Sequence, residues 1–337
     1  MNMGGGRGSE AAAAGGPVDL RRYAQNLSSR LEARGVAVPG SAACARPVTW
    51  RGAVLGGVLP AVAVATTGSD PEACAAQARA ARQAGADLVE LRADLLAAPV
   101  ADTAGNEPEP GAPEELAALW LRGAAAVAQA LRGSDMPVLL TVRTASEGGG
   151  LDADDAVYRD ALARVIERLG RERHAAADCR DAAAGEDGAG GASAAAVVAA
   201  VDVELARGGL PRIVQLARGA GLDVVASSHD FTATPGEAEL LQRLHAMQGA
   251  GAAVAKVAVT PRATADVERA LGVAARAREE LEIPVVVIAM GAGGAVTRLA
   301  GGVFGSALTF ATAGSAASAP GQLPVAQVRA ALAALHP

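Results

Sequence analysis

Lysine is almost missing from this chain: of its 30 basic residues, Lys256 is the one lysine and the other 29 are arginine. Either residue can supply surface charge, but only lysine offers an amine that can lose its proton and attack a carbonyl. Cysteine is scarce as well. Cys44, Cys74 and Cys179 are odd in number and far apart, which excludes a disulfide framework and a metal-ligand pattern. No apolar run reaches the 18 residues a membrane helix needs, and Arg21, Arg22, Glu32 and Arg34 stand where a signal peptide would be apolar. A cytoplasmic protein without a membrane partner is the expectation. The formal net charge is -6 and no basic stripe interrupts it, which argues against a nucleic-acid partner. An anionic ligand would therefore need a local arginine.

What is present is a long, apolar chain: 337 residues at 51% hydrophobic content can bury a large core. Short β-branched runs alternate with Ala- and Leu-rich stretches of helical spacing, the pattern of repeated βα units. Eight strands are expected: Ala61 to Thr66, Leu88 to Arg92, Val138 to Arg143, Val197 to Glu204, Val224 to Ser228, Ala253 to Val259, Val285 to Ala289, and Val303 to Thr309. Several are apolar on both faces, as in strands covered by helices outside and packed side chains inside. The expected architecture is an α/β (β/α)8 barrel over residues 46–337, preceded by a partly disordered extension, residues 1–45. Two segments break the pattern and read as flexible insertions, 101–114 after strand two and 171–195 before strand four. The second falls on the face opposite catalysis, which makes His174 an unlikely catalyst.

The candidate chemistry gathers at strand ends. Lys256 lies in GAAVAKVAVTP, among alanines and valines, so apolar neighbours that disfavour its charged form are expected. The preceding strand ends in VVASSHDF, which puts His229 at the same rim, since adjacent strands run ~4.8 Å apart. A histidine suits a group that both takes and returns a proton. Strand two ends in VELRAD, with Glu90 and Arg92 on one face; strand four ends in VDVEL, with Asp202 and Glu204 spaced alike; strand three runs into TVRTASEGGG, bringing Arg143 and Glu147 to the rim. Arg298, in MGAGGAVTRLAGGVFGS, is the candidate carboxylate clamp. No metal and no cofactor are called for.

Taken in order, VELRAD, TVRTASEGG, VDVEL, SSHDF, AKVAVTP, MGAGGAVTRLAG, FGSALTF and SAPGQL resemble the motif series of type I 3-dehydroquinate dehydratases. The resemblance covers roughly residues 47–337, and VTWRGAVLGG is similar to the family's opening hairpin, which closes the bottom of the barrel. It implies dehydration of 3-dehydroquinate to 3-dehydroshikimate in the shikimate pathway. By the same resemblance Lys256 forms the Schiff base, His229 moves the proton and Glu147 orients His229. Arg298 grips the substrate carboxylate, Glu90, Arg92 and Arg143 contact hydroxyls and ring, and Ser318 and Gln322 close over the ligand. A homodimer is implied by the family alone, and no second catalytic domain is expected after residue 337. The sequence departs from the family pattern at Ala65, where Thr66 or Thr67 takes over a polar contact or leaves it unmade. A Schiff-base aldolase would share Lys256 but would not need the His229–Glu147 pair. A non-catalytic binding barrel would have lost some rim residue.

Overall fold

The computed structural model describes residues 43–97, 112–182, 193–314 and 317–336. The expected extension thus lies almost wholly outside the described residues, as does most of the expected insertion at 101–114. An antiparallel hairpin comes first, β1 (Val48–Trp50) with β2 (Ala53–Leu55). The barrel strands follow: β3 (Ala61–Ala65), β4 (Leu88–Arg92), β5 (Val138–Thr141), β6 (Val198–Glu204), β7 (Asp223–Asp230), β8 (Val254–Val259), β9 (Val285–Ala289) and β10 (Leu308–Thr312). Each pairs in parallel with the next from β3 to β9, and β10 pairs with β3.

The seam between β9 and β10 closes in two places. At its lower end Val285 bridges Ser306, and the Ala307 N–H donates to the Val285 carbonyl at 2.7 Å. At its upper end a two-residue strand, β11 (Leu323–Pro324), pairs with Ala311 and Thr312 on the edge of β10 that β3 leaves open.

The helices run on the outside: α1 (Pro71–Gln83), α2 (Pro113–Ala130), α3 (Asp155–Ala182), a single turn α4 (Ala194–Val197), α5 (Leu210–Gly219), α6 (Glu237–Gly249), α7 (Thr264–Glu280), α8 (Ala295–Ala300) and α9 (Val325–Leu335). Local chemistry sets several starts. Proline opens α1 and α2, where a missing N–H costs nothing, and Asp70 accepts from Ala73 N–H at 2.8 Å to cap α1. One core fills the space between strands and helices, with Trp120, Tyr158 and Leu162 among its fully buried members. A second fills the lower barrel, where Trp50 and Leu55 of the hairpin meet the first inward residues of the strands, Leu88, Leu139, Val225, Val254 and Leu308. The indole of Trp50 also donates to Asp223 at 2.8 Å, fastening the plug.

Two expectations are corrected. The last barrel strand begins at Leu308, and Val303 and Phe304 belong to a tight 3-10 turn. Apolar content misled there: Gly305 at φ +94° ends the turn in a conformation no strand uses, and Phe304 is exposed. The segment 171–195 is helical through Ala182 rather than an insertion throughout, and residues 183–192 lie outside the described set. Arg173, in that helix, donates to the carbonyls of Ala195 and Ala220 at 2.9 and 3.2 Å, as well as to Val198 and Gly221, so this stretch ties α3 to its neighbours.

Candidate active site

Strand alternation places one set of side chains inside the barrel. Below, that set is apolar; toward the C-terminal ends of β4 to β8 it turns polar, with Glu90, Thr141, Asp202, Ser227 and Lys256, then Arg92, Arg143, Glu204 and His229. All are buried or nearly so. Of these, Glu90, Arg92, Arg143, His229 and Lys256 border a cavity that opens to solvent at the barrel mouth, and the others stand behind them.

Lys256 reaches its centre from β8. Its surroundings are not the apolar ones expected, because the flanking alanines and valines alternate outward while Nζ faces two carboxylates, Asp202 Oδ2 at 3.4 Å and Glu90 Oε1 at 3.8 Å. Nζ also stands 4.9 Å from the centre of the Phe310 ring, on the opposite wall.

His229 lies on the neighbouring strand, and its Nδ1 is 2.8 Å from Glu147 Oε2, which also accepts the His229 backbone N–H at 3.0 Å. Burial, with Arg143, Lys256 and Arg92 nearby, holds the imidazole well below its ordinary value, so it is neutral at neutral pH. Burial pushes Glu147 up to about 7, with Arg143 opposing and Glu204 and Asp202 adding to the rise. With Glu147 ionised, Nδ1–H donates to it and Nε2 keeps a free lone pair.

Arg143 ties the polar groups together. Its Nη1 donates to Glu204 and Ser227 at 3.0 Å each and approaches Glu147 at 3.4 Å, while Nη2 donates to Asp202 at 2.8 Å. Burial opposes it, yet the three carboxylates raise the guanidinium's pKa further and keep it charged. Burial likewise opposes ionisation of Asp202, but Arg143 and Lys256 hold it below the usual carboxylate range. Glu204 in turn accepts from Thr144 N–H at 2.8 Å and Thr144 Oγ1 at 2.6 Å. Arg92 is clamped from two sides by Asp94, at 2.9 and 2.7 Å.

Arg298, on α8, is different: among the described residues no carboxylate pairs with it, and its buried Nε has no partner. Burial alone lowers it to about 10, which leaves it cationic at neutral pH. A buried, uncompensated guanidinium on a cavity wall is a receptor for an anion. Its Nη2 donates to the Pro320 carbonyl at 3.2 Å, and the same carbonyl takes Gly291 N–H at 3.1 Å, which seats the following loop. Gly321, at φ +81°, packs so closely on Gly291 that any side chain would collide with its carbonyl. Within this loop Ser318 and Gln322 hydrogen-bond each other and border the cavity.

The nine residues to which the family resemblance gives a role therefore border one cavity, whereas Asp202 and Glu204, the other strand-end pair, lie behind its lining. Thr66 and Thr67 do not: Thr66 Oγ1 accepts the Arg92 backbone N–H, and Thr67 Oγ1 accepts from Gln77. The sequence reading missed the side of the cavity made by Ile288, Met290 and Phe310, as well as Phe231 at the mouth. Inward alternation on β9 and β10 was the available signal for Ile288 and Phe310, and Met290 continues it one residue past β9. Among the described residues no three His, Cys, Asp or Glu side chains are arranged to hold a metal, and no helix is long and apolar enough to cross a membrane.

The chain has relatives among known proteins. The 3-dehydroquinate dehydratase of Geobacillus thermodenitrificans is 31% identical over 285 residues, covering 84% of this chain and 93% of that one. That of Bacillus velezensis is 31% identical over 292 residues, covering 86% and 98%. Among solved structures, the 3-dehydroquinate dehydratase of Geobacillus kaustophilus superposes with a TM-score of 0.70 at 28% identity, over 87% of this chain and 97% of its own. The family model described as type I 3-dehydroquinase matches residues 62–173 and 191–337. With the fold, the motif order and these relatives in agreement, the chain belongs to the type I 3-dehydroquinase family.

Proposed function

We propose that the chain is a hydro-lyase that dehydrates 3-dehydroquinate to 3-dehydroshikimate through a Schiff base on Lys256. The observation that carries this reading is the convergence, in one cavity, of the chain's sole lysine, a neutral histidine held by Glu147, and a buried arginine that pairs with no carboxylate among the described residues. Lys256 condenses with the C3 ketone and releases water. The resulting iminium makes the C2 hydrogen acidic by offering its electrons a sink. Nε2 of His229 takes that hydrogen as a proton and returns it to the departing C1 hydroxyl, while Glu147 holds the ring and balances its charge. Arg298 binds the substrate carboxylate. Glu90 and Arg92 face the substrate's hydroxyls, and Ser318 and Gln322 cover it from the loop. Arg143 contributes chiefly by holding Glu147 and Asp202 in place. By the same family reading the working form is a cytoplasmic homodimer with a small-molecule substrate and no cofactor.

Borohydride reduction in the presence of 3-dehydroquinate tests the reading. The expected outcome is a covalent mass increment confined to the peptide holding Lys256, together with a rise in ultraviolet absorbance from the conjugated enone before reduction. Lys256→Arg should show neither, because arginine stays protonated. Enone formation without a trapped adduct would remove the Schiff base; neither signal would remove the activity.

A further inference from the structure

The two carboxylates at Lys256 differ in kind. Glu90 borders the cavity. Asp202 is fully buried beneath Nζ and does not border the cavity; its Oδ1 accepts from Arg143 Nη2 at 2.8 Å and Ser227 Oγ at 2.6 Å, which leaves Oδ2 turned to Nζ at 3.4 Å. Parallel register puts Ser227 beside Lys256, and its hydroxyl holds Asp202 Oδ1. A carboxylate so placed reaches the reacting nitrogen and nothing of the substrate.

We propose that Asp202 is a positioning residue that keeps the imine nitrogen formed on Lys256 protonated through the reaction, an inference that rests on the Schiff-base reading above. When the amine and ketone condense, the carbonyl oxygen leaves as water and the new C=N nitrogen retains one proton and a positive charge. When the C2 hydrogen leaves as a proton to His229, its bonding pair becomes the C2=C3 bond and the C=N pair moves onto nitrogen. A neutral imine accepts that pair far less readily. Asp202 supplies a fixed negative charge on the side away from the substrate, so the nitrogen keeps its proton while the cavity side turns over. The other charged groups around the nitrogen are Glu90 from β4, Arg92 at the end of β4, Arg143 beyond β5, Glu147 and His229 above, and Arg298 from α8; β9 and β10 bring none, offering Ile288 and the Phe310 ring.

Because the chain has a single lysine, protein labelled with 15N at lysine Nζ gives one side-chain resonance to follow. With 3-dehydroquinate added to the wild-type protein, that resonance should move to the protonated-imine region and stay there as pH rises from neutral into the alkaline range. In Asp202→Asn the imine should lose its proton roughly one to three pH units earlier, the displacement expected for removing an adjacent charge. The alkaline limb of kcat should shift with it. Ser227→Ala, which keeps the carboxylate, should leave that limb in place. Uniformly lower activity in Asp202→Asn with an unmoved limb would mean a merely structural role and overturn the proposal. A wild-type imine that deprotonates near neutral pH would overturn it too, without need of any variant. Absence of an imine resonance in the wild-type protein would instead count against the Schiff-base reading.

Discussion

The barrel interior has two walls, built by different rules. From β4 to β8 the upper inward positions are charged or polar, and each group leans on its neighbours through Arg143. Across the cavity, Ile288, Met290 and Phe310 present apolar surface with no such ties. The reason for the difference is electrostatic. A buried charge is tolerable only when opposite charges and hydrogen bonds compensate it, so charges must arrive together. Apolar residues have no such requirement and can be exchanged one at a time. The polar wall should therefore respond to mutation as a unit and the apolar wall as a sum of parts.

The strongest way to break the comparison is at the reacting end of the polar wall. His229→Ala should still fold and bind, yet lose about 100-fold to 10,000-fold in turnover, the usual effect of removing a positioned acid or base. The imine should form and accumulate, so intact mass after borohydride decides between lost chemistry and lost binding. Near-normal turnover would mean that a water or another group is the base.

Arg143→Ala probes the wall's interdependence. It leaves Asp202, Glu204 and Glu147 buried without their common cation, which should cost about 3–5 kcal/mol in denaturant unfolding. Combined with Asp202→Ala the loss should be smaller than the sum of the two single losses, because the same compensation is removed twice. Additive losses would show that the charges act separately.

The pH dependence is a subtler reading of the same wall. Glu147 is pushed up to about 7 and is ionised above that point. Only then does Nδ1–H of His229 point to a carboxylate and leave Nε2 free; below it, Glu147 carries the proton, Nδ1 accepts, and the ring proton moves to Nε2. The kcat/KM profile should therefore fall on the acid side of about pH 7, and Glu147→Gln should abolish that limb. A limb near the ordinary carboxylate range would contradict the assignment.

The smallest effect belongs to the apolar wall. Ile288→Val should cost about 0.5–1.5 kcal/mol of stability and leave the pH profile unchanged. A shift in that profile would show that the two walls are coupled.

Much of this was legible in the residues alone. Two-residue spacing in VELRAD and VDVEL put pairs of polar side chains on single strand faces, a lone lysine in an apolar run marked the nucleophile we propose, and SSHDF put a histidine one strand away. Periodicity conveys these because a strand's inward and outward faces alternate whatever surrounds it. It failed near Val303, where an apolar run turned out to be a glycine-bounded turn, and at residues 171–182, where a polar composition concealed a helix.

What tertiary structure alone decided is which charge faces which. Asp202 and Lys256 are 54 positions apart, Glu147 and His229 82, and nothing local chooses Asp202 rather than Glu204 as the lysine's companion. Side-chain contacts across the barrel make that choice: register sets Glu204 level with Ser227 and Lys256, yet Glu204 turns to Thr144 and Arg143 while Ser227 and Lys256 both reach Asp202. That no described carboxylate stands beside Arg298 is also invisible in sequence, since being unpaired is a property of the space around a residue. The chain by itself determined which reactive groups exist and which strand each rides on; the fold determined their partners, because buried charges are settled by neighbours in space.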